Sequence, residues 1–175
     1  MFATMKVFRV SLISYIIIMN LERSSHLAFF AGLQSADLQL LEPYFAPQTW
    51  VAGTKIFEQD DYAEYLYLVV IGEVTIRYKP HDGPVMTVTR VQPGGIFGWS
   101  AAMNNPAYTS GAICTLDSEV LRIRGTDLRM LCDKYPDLGK IILDRLAGVI
   151  AERKHRQMGQ ASSILASGMH LPAKD

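Results

Sequence analysis

The chain has 175 residues, of which 49% are hydrophobic and 19% charged, enough for one globular domain with a sizeable core. This composition excludes an intrinsically disordered protein. Basic and acidic side chains number 17 each, a balance that argues against a general nucleic-acid-binding surface. The two cysteines, Cys114 and Cys132, match no metal or redox spacing. We expect buried free thiols and a reducing cytoplasmic location.

The N-terminal stretch has Lys6 and Arg9 ahead of an apolar run from Val10 to Met19. The run is shorter than the roughly 20 residues that a membrane-spanning helix needs, and no small-residue cleavage site follows it. A signal or anchor stays open as an alternative, as does an extra buried strand or helix. We favour an extension over residues 1–18 that is no part of the fold, with Met19 as the true start, and we expect no membrane association.

Helical spacing comes first in the predicted domain, over residues 24–46, with Ser35 as the predicted N-cap of "ADLQLLEPYF". Pro43 and Pro47 then end the helical potential. From residue 50 to residue 124, short runs rich in Val, Ile, Tyr and Thr alternate with glycine and proline turns. "YLYLVVIG" indicates a central strand, "EVTIRY" a half-buried one, and Gly72 a backbone angle that other residues resist. The spacing predicts an antiparallel jelly roll, or double-stranded β-helix, of about eight strands.

After the strands, "TDLRMLCDKY" predicts a short helix and "PDLGKIILDRLAGVIAERKHRQMG" a long one. We therefore predict a mainly β domain with flanking helices over residues 19–160 and a flexible tail over residues 161–175. Gly139 and Gly148 weaken the long helix and would ease close approach of another backbone. Its apolar stripe could pack on its own roll or on a second copy of the chain: Leu138, Ile142, Leu146 and Val149.

Catalytic motifs are absent from the sequence. The four histidines lie far apart and none falls on a predicted strand, whereas a cupin-type metalloenzyme would carry its ligands there. No nucleophile elbow, Walker loop or dinucleotide fingerprint occurs. We expect no enzyme, no metal and no cofactor.

The stretch "GGIFGWSAAMNNPAYTSGA", residues 94–112 and here called the cassette, crowds glycines, hydroxyls and a tryptophan together. "WSAAMNN" fits a single helical turn after Gly98, whose free N–H groups suit a phosphate. Thr109 and Ser110 would return on a strand and donate hydroxyl hydrogen bonds. Such turns are common between strands, so this pattern alone does not identify a ligand site.

The order of these features over Leu27–Gln157 resembles the cyclic nucleotide-binding domain family, the sensor domain of catabolite-activator-type regulators. "FFAGLQSADLQLL" resembles its N-terminal helices, and "GTKIFEQDDYAEYLYLVVIGEVTIRY" its first strands, with Gln59 in place of a usual glycine. "VQPGGIFGWSAAM" resembles the turn into its phosphate-binding cassette. The resemblance implies a non-enzymatic regulatory domain with cAMP or cGMP as ligand. Such regulators carry a helix-turn-helix after the long helix, for which this chain leaves no room, so we expect no direct DNA binding.

The cassette departs from the family pattern F-G-E, in which the glutamate bonds the ribose. Trp99 takes its place and resembles an F-G-W-S subgroup. The arginine that pairs with the cyclic phosphate falls on Ala107 or Tyr108, and its loss removes about 1.5–3 kcal/mol. Arg153 on the long helix could restore the charge or could simply be solvated. Trp99 either stacks on a ligand or plugs the pocket, and Tyr108 either adds a polar ring or packs on a neighbouring strand. The predicted ligand-binding residues are Phe97, Gly98, Trp99, Ser100, Ala107, Tyr108, Thr109, Ser110, Ile150 and Arg153.

Two functions are thus expected from the sequence. The first is a sensor that binds a cyclic nucleotide or a related small ligand and acts through its long helix on a partner or a twin in a homodimer. The alternative is a ligand-free dimerisation or interaction module of the same fold. A cupin-like metalloenzyme is a third reading, which the missing strand histidines disfavour.

Overall fold

The computed structural model describes residues 29–151 of the chain. A short helix and a 3₁₀ turn precede eight strands, and two helices follow. The elements are α1 (Ser35–Leu41), the 3₁₀ turn (Glu42–Tyr44), β1 (Ala46–Trp50), β2 (Lys55–Phe57), β3 (Tyr65–Ile71), β4 (Val74–Tyr78), β5 (Met86–Val91), β6 (Ile96–Phe97), β7 (Gly111–Cys114), β8 (Ser118–Arg124), α2 (Gly125–Lys134) and α3 (136–151). The predicted extension over residues 1–18 and the predicted tail over residues 161–175 lie outside the described residues.

The strands form two four-stranded antiparallel sheets, in the orders β1-β8-β3-β6 and β2-β7-β4-β5. The predicted eight-stranded antiparallel roll with flanking helices is confirmed. No helix within residues 29–151 has the length and hydropathy that crossing a bilayer requires.

Strand β3 lies inside the first sheet and is buried on both faces, as its continuous apolar sequence predicts. Leu66, Leu68 and Val70 pack into an apolar cluster shared with the helices, here called the helical core. Tyr67 and Val69 face the other way into the interior of the roll, here called the roll core. The period of two in a strand therefore separates the two cores along one segment.

Three local predictions differ from the structure. The N-cap of α1 is Gln34, whose backbone N–H donates to the Asp37 carboxylate at 3.0 Å, rather than Ser35. Strand β1 begins at Ala46, whereas the strands were predicted to begin at residue 50; an edge strand tolerates Pro47 because one side has no ladder to complete. In β4, Thr75 is buried although the alternation predicts exposure, and its hydroxyl lies 3.3 Å from that of Thr115.

The apolar stripe of α3 packs on its own domain, because Leu138, Ile142 and Leu146 are buried in the helical core. Gly139 allows α3 to approach α2, since a Cβ there would lie 2.8 Å from Cα of Cys132, whereas Gly148 faces open space. Of the two glycines, only Gly139 lies close to another backbone, as predicted, within the described part of the chain.

Both cysteines are free: Cys114 is buried and Cys132 half-buried. Burial raises the pKa of each thiol. The predicted unusual angle at Gly72 is confirmed at φ +90°, and a side chain there would run into the Asp117 carbonyl and the Ser118 hydroxyl.

Candidate ligand-binding site

The cassette leaves β6 at Gly98, which has φ +74°. A Cβ at this position would lie 2.8 Å from the carbonyl oxygen of Tyr65 and 2.9 Å from a ring carbon of Tyr67. Both the positive φ and the lack of space for a side chain therefore require glycine here. The chain then makes one helical turn, in which the Met103 N–H donates to the Trp99 carbonyl at 3.0 Å. The predicted single turn after Gly98 is therefore present.

Backbone hydrogen bonds tie the far end of the cassette to the segment before β3. The Asp60 N–H donates to the Tyr108 carbonyl, and the Tyr108 N–H donates to the Asp61 carbonyl, both at 2.9 Å. The Ala63 N–H donates to the Pro106 carbonyl at 3.1 Å. These three backbone hydrogen bonds hold the cassette against the rest of the roll.

Tyr108 adds a side-chain clamp to these bonds. Its hydroxyl donates to the Tyr65 carbonyl at 2.8 Å and accepts from the Tyr65 N–H at 3.0 Å. Its ring stacks on Phe57 with centroids 3.7 Å apart and planes 15° apart. Burial, the largest cause, raises the pKa of the hydroxyl. These contacts favour the interpretation of Tyr108 as a residue that packs on its neighbours.

A cavity of about 320 Å³ opens beside Gly98, within the usual range for small-molecule sites. The structure brings seven of the ten predicted residues together in its wall. They are Phe97, Gly98, Trp99, Ser100, Tyr108, Thr109 and Ser110. Thr109 and Ser110 were predicted on a strand, but β7 begins only at Gly111, so both lie in the loop that precedes it.

Trp99 forms part of this wall and leaves the cavity open. The indole is half-buried and also packs against the helical core. The geometry therefore favours Trp99 as a residue that contacts a ligand over Trp99 as a plug, because its side chain lines the space beside Gly98 and does not fill it.

The other three predicted residues lie elsewhere. Ala107 forms an isolated bridge with Tyr62 and is absent from the cavity wall. Ile150 is half-buried on α3 and is also absent from the wall, because the part of α3 that contacts the roll is its buried stripe. Arg153 lies outside the described residues.

Four further wall residues come from the strands: Phe57, Ile76, Tyr78 and Val88. Ile76 and Tyr78 are two apart in β4 and therefore share a face. The alternation of "EVTIRY" carries this signal, but only the packing of the two sheets reveals that this face lines a cavity.

No charged side chain lines the cavity in the part of the chain from residue 29 to residue 151. Arg122, on the inner side of β8, pairs in register with Tyr67, which pairs in turn with Phe97. Its guanidinium lies 4.3 Å from the ring centroid of Tyr65, and its buried Nε has no hydrogen-bond partner among the described residues. This cation is thus turned toward Tyr65, two strands from the cassette.

A broader depression of about 750 Å³ adjoins the cavity, since Phe57 and Tyr78 line both. Its wall carries charges of both signs, including Arg77, Lys79 and Glu58. Residues 29–151 contain no group of three His, Cys, Asp or Glu side chains that could hold a metal ion.

Comparisons with known proteins identify relatives of this chain. A family model described as cyclic nucleotide-binding domain matches residues 47–135. The cyclic AMP receptor protein of Thermus thermophilus is 27% identical over 124 residues, which cover 71% of this chain and 56% of that protein. The chain therefore spans just over half the length of this curated relative.

Two solved structures are also similar. One, from Geobacter metallireducens GS-15 and assigned to the cyclic nucleotide-binding proteins, is 30% identical with a TM-score of 0.66, covering 77% of this chain and 98% of that one. The catabolite activator protein of Thermus thermophilus is 26% identical with a TM-score of 0.64, covering 79% of this chain and 62% of that one. Because the family model covers more than half of the chain, the chain belongs to the cyclic nucleotide-binding domain family.

Proposed function

We propose that this domain is a non-enzymatic regulatory sensor that binds cAMP, cGMP or a related small ligand beside Gly98 and signals through its C-terminal helix. One observation carries the proposal: Trp99 lines the cavity and also packs against the helical core. A single side chain therefore contacts both the candidate ligand space and the cluster that holds α3.

The helical core makes such a signal physically reasonable. Leu138, Ile142 and Leu146 bury the inner stripe of α3 in it, and Val149 packs against its border. Because packed interiors tolerate little change in volume, a ligand that displaces the Trp99 indole favours a different seating of the helix. The ligand then acts by shifting the population of α3 positions.

Polar contacts to the ligand would come from the cassette. Ser100 is buried at 3% exposure, and Thr109 and Ser110 lie beside it in the wall. The Trp99 indole offers a face for a base. The F-G-W-S sequence supports membership of the subgroup with tryptophan at this position, and the similarity to a cyclic AMP receptor protein supports a cyclic nucleotide as ligand.

The output surface is proposed to be the outer side of the same helix. Leu143 exposes 51% of its surface and lies about two turns before the half-buried Ile150, so these two side chains share one side of the helix. These side chains would pair with a twin in a homodimer. The free thiols favour a cytoplasmic location.

The chain has two tryptophans, which makes the test direct. A Trp50→Phe variant leaves Trp99 as the single fluorophore. We expect its emission to change on titration with cAMP or cGMP, together with hydrogen exchange of the α3 amides. The matched Trp99→Phe variant, which keeps Trp50 packed against the roll core, should show a smaller change. If calorimetry detects binding of neither cAMP nor cGMP, the cyclic-nucleotide part of the proposal is wrong.

The uncharged wall of the cavity favours a second candidate, a ligand-free dimerisation or interaction module. This function predicts a dimer by light scattering whose melting temperature is unchanged by every nucleotide. If Trp99→Glu or Ala107→Arg then gained cAMP binding, the cavity would be a site that has lost its original ligand.

A further inference from the structure

The wall of the cavity beside Gly98 has an unusual composition for a site in a nucleotide-binding family. Five of its residues are aromatic, and none of its described residues is charged. Its polar side-chain groups are the indole N–H of Trp99, the tyrosine hydroxyls and three aliphatic hydroxyls, from Ser100, Thr109 and Ser110. Hydroxyls donate and accept hydrogen bonds but do not neutralise a charge.

A phosphate placed in this cavity would lose hydration without gaining an ion pair from the described wall. Burial of a charged group in that situation is strongly unfavourable. The cassette turn does not compensate, because it closes a single i→i+4 bond, from Met103 N–H to the Trp99 carbonyl, and lacks the dipole of a full helix. Arg122, the inward cation of β8, is engaged with the Tyr65 ring.

The aromatic rings instead suit a flat ligand. Phe57, Phe97 and Tyr108 are buried and stack on one another, with Phe57 6.1 Å from Phe97 and 3.7 Å from Tyr108. Trp99 and Tyr78 retain exposed surface, 40% for Tyr78. A planar ring can therefore contact the faces or edges of Trp99 and Tyr78 while its polar edge meets the hydroxyls.

We propose that this cavity recognises an uncharged planar ring system with a polar edge, such as a nucleobase or nucleoside, and that a phosphate adds nothing to its affinity. The inference rests on the proposed function, because it names the part of the ligand that the same site reads. It differs from that function in a measurable way, since a cyclic nucleotide and its nucleoside then bind equally.

The test compares cAMP, adenosine, cGMP, guanosine and the neutral purine caffeine, by calorimetry and by Trp99 fluorescence in the Trp50→Phe variant. We expect each nucleotide and its nucleoside to agree within about threefold, and affinities to be the same at about 50 and 500 mM NaCl. Trp99→Leu should weaken every ligand by about tenfold or more. The matched Trp50→Leu variant, altered outside the cavity wall, should stay within about threefold.

Binding of cAMP about tenfold or more tighter than adenosine, and weakened by salt, would overturn this inference and leave the sensor function standing. Arg77→Gln and Arg153→Gln variants would then locate the cation responsible. Binding of the neutral ligands without either cyclic nucleotide would support the inference and reject the cyclic-nucleotide part of the function. No response from any of the five compounds would overturn both.

Discussion

Replacement of Tyr108 by phenylalanine removes one hydroxyl from the clamp that holds the cassette. The hydroxyl serves both backbone groups of Tyr65, at 2.8 Å and 3.0 Å. Strand β6 ends at Phe97, opposite Tyr67, so no β6 residue pairs with Tyr65 on that side. The variant keeps the ring that stacks on Phe57, and its loss of stability therefore reports the hydrogen bonds of the hydroxyl, which are the two to the Tyr65 backbone and one with the Tyr67 side chain.

The two bonds to the Tyr65 backbone set the lower bound of the magnitude. Each contributes about 1 kcal/mol net, and a part-buried peptide group left without a partner costs about 1–3 kcal/mol. The clamp is part-buried, so water replaces some of the lost bonding, and we expect the free energy of unfolding to fall by about 2–3 kcal/mol. For a chain of this size the melting temperature falls by about 2–4 °C per kcal/mol, so by about 4–12 °C in total.

Urea unfolding followed by tryptophan fluorescence measures this loss, and hydrogen exchange at the Tyr65 amide localises it. Tyr62→Phe is the matched control, because the Tyr62 side chain is 73% exposed and its loss of one hydroxyl should cost less than about 0.5 kcal/mol. If Tyr108→Phe costs no more than this control, the clamp does not hold the cassette and the reasoning from its hydrogen bonds is wrong.

Three further predictions concern stability, each measured by urea unfolding. Gly98→Ala should cost at least about 1 kcal/mol more than Gly53→Ala, since both glycines have positive φ but only Gly98 has atoms within 4 Å of a new Cβ; equal losses would contradict the clash. Gly148→Ala should stabilise the protein by about 0.5–1 kcal/mol, because the position is helical and has open space around it. Gly139→Ala should destabilise the protein, because the new Cβ would collide with Cys132. If both variants change the free energy of unfolding in the same direction, the α2–α3 contact is refuted. Burial raises the pKa of Tyr67 above its ordinary value, so its contribution is complete below pH about 10 and is lost as the pH rises further, by up to about 1.4 kcal/mol per pH unit. Tyr67→Phe should decline less steeply above pH about 10 than the wild type, and parallel curves would reject this assignment.

The fold was predicted correctly where the residue types of one segment are enough to determine its burial or its backbone angles. The apolar run of β3 predicts burial on both faces, and Gly72 predicts a turn that other residues resist. The misses fall where a distant partner decides the outcome. Thr75 is buried because β4 lies between two strands, and Thr115 from the end of β7 provides its hydroxyl contact.

The candidate site divides in the same way. Phe97, Gly98 and Trp99 could be predicted because they are consecutive and punctuated by a glycine, and they do line one cavity. The contribution of Tyr78 to the wall could not, because it depends on how β4 faces the cassette across the roll. Ala107 was predicted in the site because the arginine of the family pattern falls on Ala107 or Tyr108, yet its backbone pairs with Tyr62 and the residue is absent from the wall.

By itself, the sequence determined the order of elements, the glycines that shape the cassette and the lack of a charged anchor in it, because these depend on residue type and neighbours along the chain. Only the tertiary structure decided what the cassette encloses. Tyr108 turns inward because its hydroxyl bonds to both the N–H and the carbonyl of Tyr65. Trp99 lines the cavity because the helical core covers another part of its side chain. Both outcomes depend on contacts between segments far apart in sequence, whose free energy no local pattern contains.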